Sequence, residues 1–82
     1  MPKLFPHYAL ASKIGVKSIE LDGKTVTEVL ENATQKFQRD IRSESRHAMF
    51  VVNGVNINLL DGFNTKLNES DEIWMILPSA GG

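Results

Sequence analysis

The 82-residue chain contains no cysteine, one tryptophan, one tyrosine and three prolines. The missing cysteines exclude a disulfide framework, a thiol nucleophile and a cysteine-ligated zinc site. Net charge is nearly absent as well. Nine Lys and Arg against ten Asp and Glu leave a formal charge of −1, so nothing in bulk electrostatics favours nucleic acid or an anionic membrane. The longest uninterrupted apolar runs, Ala48–Val52 and Ile73–Leu77, are far too short to span a bilayer. The opening Met-Pro-Lys-Leu-Phe-Pro-His lacks the basic start and long apolar stretch of a secretory leader, so the expected location is the cytoplasm. What is present is an ordinary globular mixture, 41% apolar and 23% charged, at a length that supports one domain around one core.

Periodicity places the elements. Lys3–Ala11 is apolar enough for a strand, although Pro6 removes a ladder donor, and Ala11–Lys17 reads as a loop. Ser18–Leu21 resumes strand character before a turn at Asp22-Gly23. Thr25 and Glu28 form a capping-box pattern, and Val26, Val29, Leu30, Ala33 and Phe37 follow as one apolar helical stripe ending near Arg39. Residues Asp40 to His47 are charged and irregular, with Ile41 as their anchor. Ala48–Val52 is a buried-strand run, and Asn53-Gly54 is the strongest short hairpin signal, since both central residues of a type I′ turn need positive φ. Val55 and Ile57 alternate with Asn56 and Asn58 on a short return strand. Leu59–Leu67 is a connector anchored by Leu60, Phe63 and Leu67, and Glu72–Leu77 is the last strand. One main helix covering one face of a mixed sheet makes an α+β roll.

Four pieces in this order resemble a known family. They are Thr25-Val26-x-Glu28-Val29-Leu30, Phe50-Val51-Val52-Asn53-Gly54, Leu67-Asn68-Glu69-Ser70-Asp71-Glu72-Ile73, and the ending Pro78-x-x-Gly81-Gly82. Together they span residues 25–82 and resemble the MoaD/ThiS-type ubiquitin-like sulfur carriers, the length and Pro78 favouring the MoaD type. The resemblance implies a β-grasp roll over residues 1–78, with a mixed sheet of four to five strands and one main helix packed on one face, then a flexible tail over 79–82. It implies a carrier rather than an enzyme, with no bound cofactor. ATP would be used by a separate adenylating enzyme of the ubiquitin-activating type (MoaB-, MoeB- or ThiF-like). That enzyme would convert the Gly82 carboxylate to an acyl-adenylate, and persulfide sulfur would convert it to a thiocarboxylate.

The acceptor so implied is a molybdopterin precursor, with a MoaE-like large subunit as partner. The alternative is a ubiquitin-like modifier of the small archaeal type, joined through Gly82 to lysines of target proteins. A third reading is a β-grasp binding module with an idle tail. Pro6 in the first strand and the run Leu77-Pro78-Ser79-Ala80 depart from the family pattern and leave the partner enzyme open. Lacking Cβ atoms, Gly81 and Gly82 suit a channel too narrow for other residues. Alternation puts Met49 and Val51 on one sheet face, and one of Trp74 and Met75 toward the outside. Together with Phe50 or Phe5, the outward one would make an apolar docking patch. The partner-binding candidates are therefore Met49, Val51, Trp74, Met75, Pro78, Ser79 and Ala80.

Other motifs point elsewhere or nowhere. His7 and His47 read as surface or interface residues rather than metal ligands. Asp61 and Asp71 read as turn residues rather than paired catalytic carboxylates. Arg39, Arg42 and Arg46 could form a basic ridge, interrupted by Asp40 and Glu44. Two glycosylation sequons, at Asn32 and Asn68, have no secretion signal to make them meaningful.

Overall fold

Thr25 opens the longest helix in the manner its side chain allows. Its Oγ1 accepts from the Glu28 N–H at 3.2 Å, and Glu28 Oε1 reaches back to the Lys24 N–H at 3.0 Å. The return bond falls one residue before the cap, where Thr25 itself bridges to Lys66. The computed structural model describes residues 1–78 of the chain. In it the helix α2 runs Val26–Phe37 and stops at Gln38, whose φ of 54° is left-handed. Val26, Val29, Leu30 and Ala33 are buried as the stripe requires, but Phe37 at the last turn is only half-buried.

Five strands receive this stripe: β1 (Lys3–Phe5), β2 (Ile19–Glu20), β3 (Met49–Val52), β4 (Val55–Asn56) and β5 (Glu72–Ile76). Their order is β2-β1-β5-β3-β4, with β1 and β5 parallel and the remaining pairs antiparallel. Leu4, Phe50, Val52, Ile73 and Met75 alternate onto the helix side and join the helix residues in one core. The architecture is the α+β, β-grasp roll that the sequence led us to expect. Asn53 and Gly54, at φ 50° and 86°, make the predicted left-handed hairpin turn between β3 and β4.

The N-terminal quarter differs from expectation. The strand predicted through Ala11 ends at Phe5, and a helix α1 (Tyr8–Ile14) replaces the rest of it and most of the loop. Leu10 is buried and Ile14 packs partly on the core, one turn apart on the same side. Gly15 closes the helix in the left-handed conformation at φ 78°. A second addition is the single-turn helix α3 (Ile41–Glu44), capped by Asp40 and anchored by Ile41 as predicted. The connector also differs. Asn56 Oδ1 accepts from the Asn58 N–H at 2.8 Å, which ends the return strand in a 3₁₀ turn. Ile57 is thereby buried, whereas Leu60, an expected anchor, is exposed.

His7, expected at the surface, is buried. It caps α1: Nδ1 accepts from the Leu10 N–H at 3.2 Å, and Nε2 lies 3.3 Å from Ser45 Oγ at the end of α3. Burial first, and Lys13 second, push its pKa below the usual histidine value, with Glu44 opposing. A depressed pKa means that folding favours the neutral ring. Its stabilisation is complete above the unfolded pKa of about 6.5 and is lost as the pH falls through the lower folded value. Thermal unfolding followed by circular dichroism should therefore show stability declining below about pH 6.5. A His7→Asn variant, which keeps an N-cap acceptor without a titration there, should flatten that part of the profile.

Gly23 is a turn residue by sequence, and the structure adds a stronger reason for it. A Cβ at this position would meet Val29 Cγ2 at 2.7 Å and Val29 N at 2.8 Å, and the backbone sits at φ +152°. The segment before α2 thus lies directly against the helix, where only glycine fits. Gly23→Ala should cost about 1–3 kcal/mol, the range for overpacking a filled site. Urea denaturation measures it, and a loss within ±0.5 kcal/mol, ordinary for a surface site, would show that the loop can move aside.

Candidate functional site

The face of the sheet turned away from α2 carries the side chains that the core leaves over. Register fixes which they are: Phe5, Trp74, Val51 and Asn56 lie in one row across β1, β5, β3 and β4, and Met49 lies opposite Ile76 in the next. Met49, Trp74 and Ile76 remain 43%, 42% and 41% exposed, and Val51 is half-buried between them. A sheet face with this much uncovered apolar side chain is a surface suited to a partner.

The centre of the face is held in place. The Trp74 indole stacks on the Phe5 ring with centroids 3.8 Å apart and planes 1° from parallel. Its Nε1–H donates to Glu72 Oε1 at 3.2 Å. Lys3 Nζ stands 5.6 Å from the Phe5 ring centroid, and Lys3 pairs in register with Glu72, so charges mark the β1–β5 end of the patch. An indole fixed on both sides presents a rigid contact with little conformational entropy left to lose.

The structure brings together Met49, Val51 and Trp74 among the expected partner-binding residues. It separates Met75 from them. Met75 is a core residue at 3% exposure, because strand alternation turns it toward α2 when Trp74 faces out. Of the two phenylalanines the sequence offers beside this pair, Phe5 lies on the face against Trp74 and Phe50 is buried in the core. Ile76 is a further member that the sequence reading does not single out, although its spacing of two from Trp74 signals it. Pro78 is exposed just beyond the end of β5. Ser79, Ala80, Gly81 and Gly82, the remaining expected site residues, lie outside the described residues.

The end of the sheet where β5 begins is occupied by polar packing. Buried Asp71 accepts from Asn53 Nδ2 at 2.8 Å and from the Asn68 N–H at 2.7 Å, while Asn53 Oδ1 accepts from the Glu72 N–H at 3.2 Å. Asp71 Oδ1 thus ties the hairpin turn to the start of β5, and Oδ2 closes the turn from Asn68, a structural use. The expected basic ridge divides. Arg39 donates to both Glu44 oxygens at 3.0 and 2.7 Å, and this bond holds the Glu44 carboxyl below the usual range. Among the described residues no three His, Cys, Asp or Glu side chains gather as a metal site, and no helix is long and apolar enough to cross a membrane.

The model of the ThiS family matches residues 3–82, nearly the whole chain. The chain belongs to the ThiS family. Solved structures agree with this ThiS-family assignment. The small archaeal modifier protein 1 of Methanosarcina acetivorans is 26% identical, with a TM-score of 0.79 over 99% of this chain and 95% of that one. CysO in the BexX/CysO complex of Amycolatopsis orientalis is 20% identical, with a TM-score of 0.88 over the whole of both chains. CysO of Mycobacterium tuberculosis is 16% identical, with a TM-score of 0.86 over 96% of this chain and 100% of that one. At those identities the two CysO structures attest the fold of this ThiS-family chain. No curated protein matches it.

Proposed function

We propose that this protein is a sulfur carrier that reacts through the carboxylate of Gly82 and docks on its adenylating enzyme by the Met49–Val51–Trp74 face. The observation that carries the reading is the coincidence of a ThiS-family match running through Gly82 with a rigid apolar face at the strand that leads to that residue. A carboxylate is a poor electrophile, so its oxygen first attacks the α-phosphorus of ATP and releases pyrophosphate. Persulfide sulfur then displaces AMP from the acyl carbon to give an acyl disulfide, and a second thiol attacks the outer sulfur, forming a disulfide and releasing the thiocarboxylate. With no cysteine in the chain, every thiol in that sequence belongs to another protein. The acceptor implied by the sequence resemblance is a molybdopterin precursor, taken up with a MoaE-like subunit. This chain would then act as substrate and carrier, with the catalytic groups on its partners.

The likeness to small archaeal modifier protein 1 favours a second use of the same activated tail, attachment through Gly82 to lysines of other proteins. Intact-mass analysis of the protein purified from its own cells separates the two. A mass gain matching replacement of one oxygen by sulfur supports the carrier, a ladder of Gly82 conjugates the modifier, and a free acid under all conditions defeats both. The docking face has its own test. Met49→Glu places a charge on a solvent-facing position, so it should raise the KM for adenylation at least tenfold and leave thermal unfolding nearly unchanged. An unchanged KM would remove this face from the interface.

A further inference from the structure

Once Arg39 is paired with Glu44, two arginines of the basic ridge are left over. Among the described residues neither Arg42 nor Arg46 makes an ion pair. Both line a groove of about 320 Å³ between the turn after α3, the start of β3 and the 3₁₀ turns after β4. No Asp or Glu lines it. Its floor is aromatic, Phe50 and Phe63 meeting edge to face at 5.2 Å. The Arg42 guanidinium lies over the Phe63 ring, 4.1 Å from its centroid, a contact to the ring that uses none of the hydrogen-bond acceptors its N–H groups could take. Asn56 is fixed too, since its Oδ1 already accepts from the Asn58 N–H, and its amide N–H₂ is what it has left to offer. Two cations without an ion pair among the described residues, with an amide donor over an apolar floor, make a site suited to an anion.

We propose that this groove receives the carboxylate of an Asp or Glu side chain from an extended segment of the protein that adenylates the tail, an inference that rests on the carrier reading above. Continuity selects a polypeptide as the occupant. Met49 belongs both to the groove and to the apolar face, and it stands opposite Ile76, the last residue of β5. A body that covers the face and follows the chain past Ile76 must pass beside Arg42 and Arg46. The aromatic floor accepts the methylenes and neighbouring apolar side chains of such a segment, for which a free inorganic anion has no use. Two guanidinium groups supply charge-assisted bonds of the stronger kind. Because the whole chain carries only −1, this local pattern rather than a long-range field has to set orientation.

Two measurements test the proposal. In ATP–pyrophosphate exchange with the cognate adenylating enzyme, the Arg42→Ala/Arg46→Ala double variant should raise KM tenfold or more with kcat nearly unchanged. The difference should shrink as salt is added. Arg39→Ala, whose partner is Glu44, should leave KM as it is. Because Arg42 also packs on Phe63, each variant's thermal unfolding is recorded, and Arg46→Glu at an exposed position is measured alone. A KM unchanged in both the double variant and Arg46→Glu overturns the proposal. The second measurement needs no enzyme. The ¹⁵N-labelled protein is titrated with the capped peptide acetyl-Leu-Asp-Glu-Leu-amide, and separately with inorganic phosphate, at millimolar concentrations. Amide shifts confined to the groove with the peptide support the assignment. No shifts, shifts elsewhere, or equal shifts with phosphate overturn it. If the wild-type protein is adenylated by no enzyme, the carrier reading fails on that result, and the peptide titration alone decides the groove.

Discussion

Deletion of Gly82 is expected to abolish ATP–pyrophosphate exchange with the cognate adenylating enzyme and to leave thermal unfolding unchanged. Removing one residue moves the terminal carboxylate back by about 3.3–3.6 Å. A misplacement of about 1 Å already costs roughly 100-fold in a positioned reaction, so the shortened chain should fall below detection. Gly81→Val should act in the same direction, because a β-branched side chain widens the segment and opposes positive φ. The fold has no such dependence, since the buried apolar side chains of the described residues run from Leu4 to Met75. Exchange that persists in the deletion, or a deletion that unfolds the domain, would take away the main support for the carrier reading.

The largest loss of stability is expected from Ile73→Ala. Ile73 is fully buried in the central strand, with Leu4 beside it on β1 and Val52 on β3. Emptying that position should cost about 2–5 kcal/mol, a large part of the about 5–15 kcal/mol by which a domain is stable. Its neighbour Trp74 has the larger side chain but faces outward. Trp74→Ala should cost about 0.5–1.5 kcal/mol, mainly the stack on Phe5. Urea denaturation followed by circular dichroism compares the two. Equal losses would mean that the two sheet faces are assigned wrongly.

The parts of this fold that could be read from the sequence are those in which a local rule and the tertiary environment agree. The stripe from Val26 to Ala33, the Asn53-Gly54 turn and the alternation of Glu72–Ile76 each name their own structure, and each was found. Helix α1 was not, for a physical reason. It has seven residues, begins with a histidine cap that propensity disfavours, and follows Pro6, so its strand-like composition dominated. Lys13 in its last turn followed by Gly15 was the signal available. His7 was misplaced by the same step, because only a helix beginning at Tyr8 carries it inward to Ser45. The docking face was half legible. Alternation pairs Met49 with Val51, but choosing Trp74 over Met75 requires knowing which side of β5 faces α2. Choosing Phe5 over Phe50 depends on the β1–β5 pairing of residues nearly seventy positions apart in the chain.

The stack of Trp74 on Phe5 also gives the protein a built-in optical reporter. The chain has a single indole, placed at the centre of the proposed contact face and only partly shielded from water. A partner that covers the face strips that remaining water, and the emission maximum should move to shorter wavelength as the complex forms. Binding can then be titrated without attaching a dye, against a partner whose own tryptophans are replaced. The same residue is a poor monitor of the core, because it faces away from it. A mutant with a loosened interior but an intact β1–β5 pair should keep a native emission spectrum, so fluorescence and circular dichroism would report separate events.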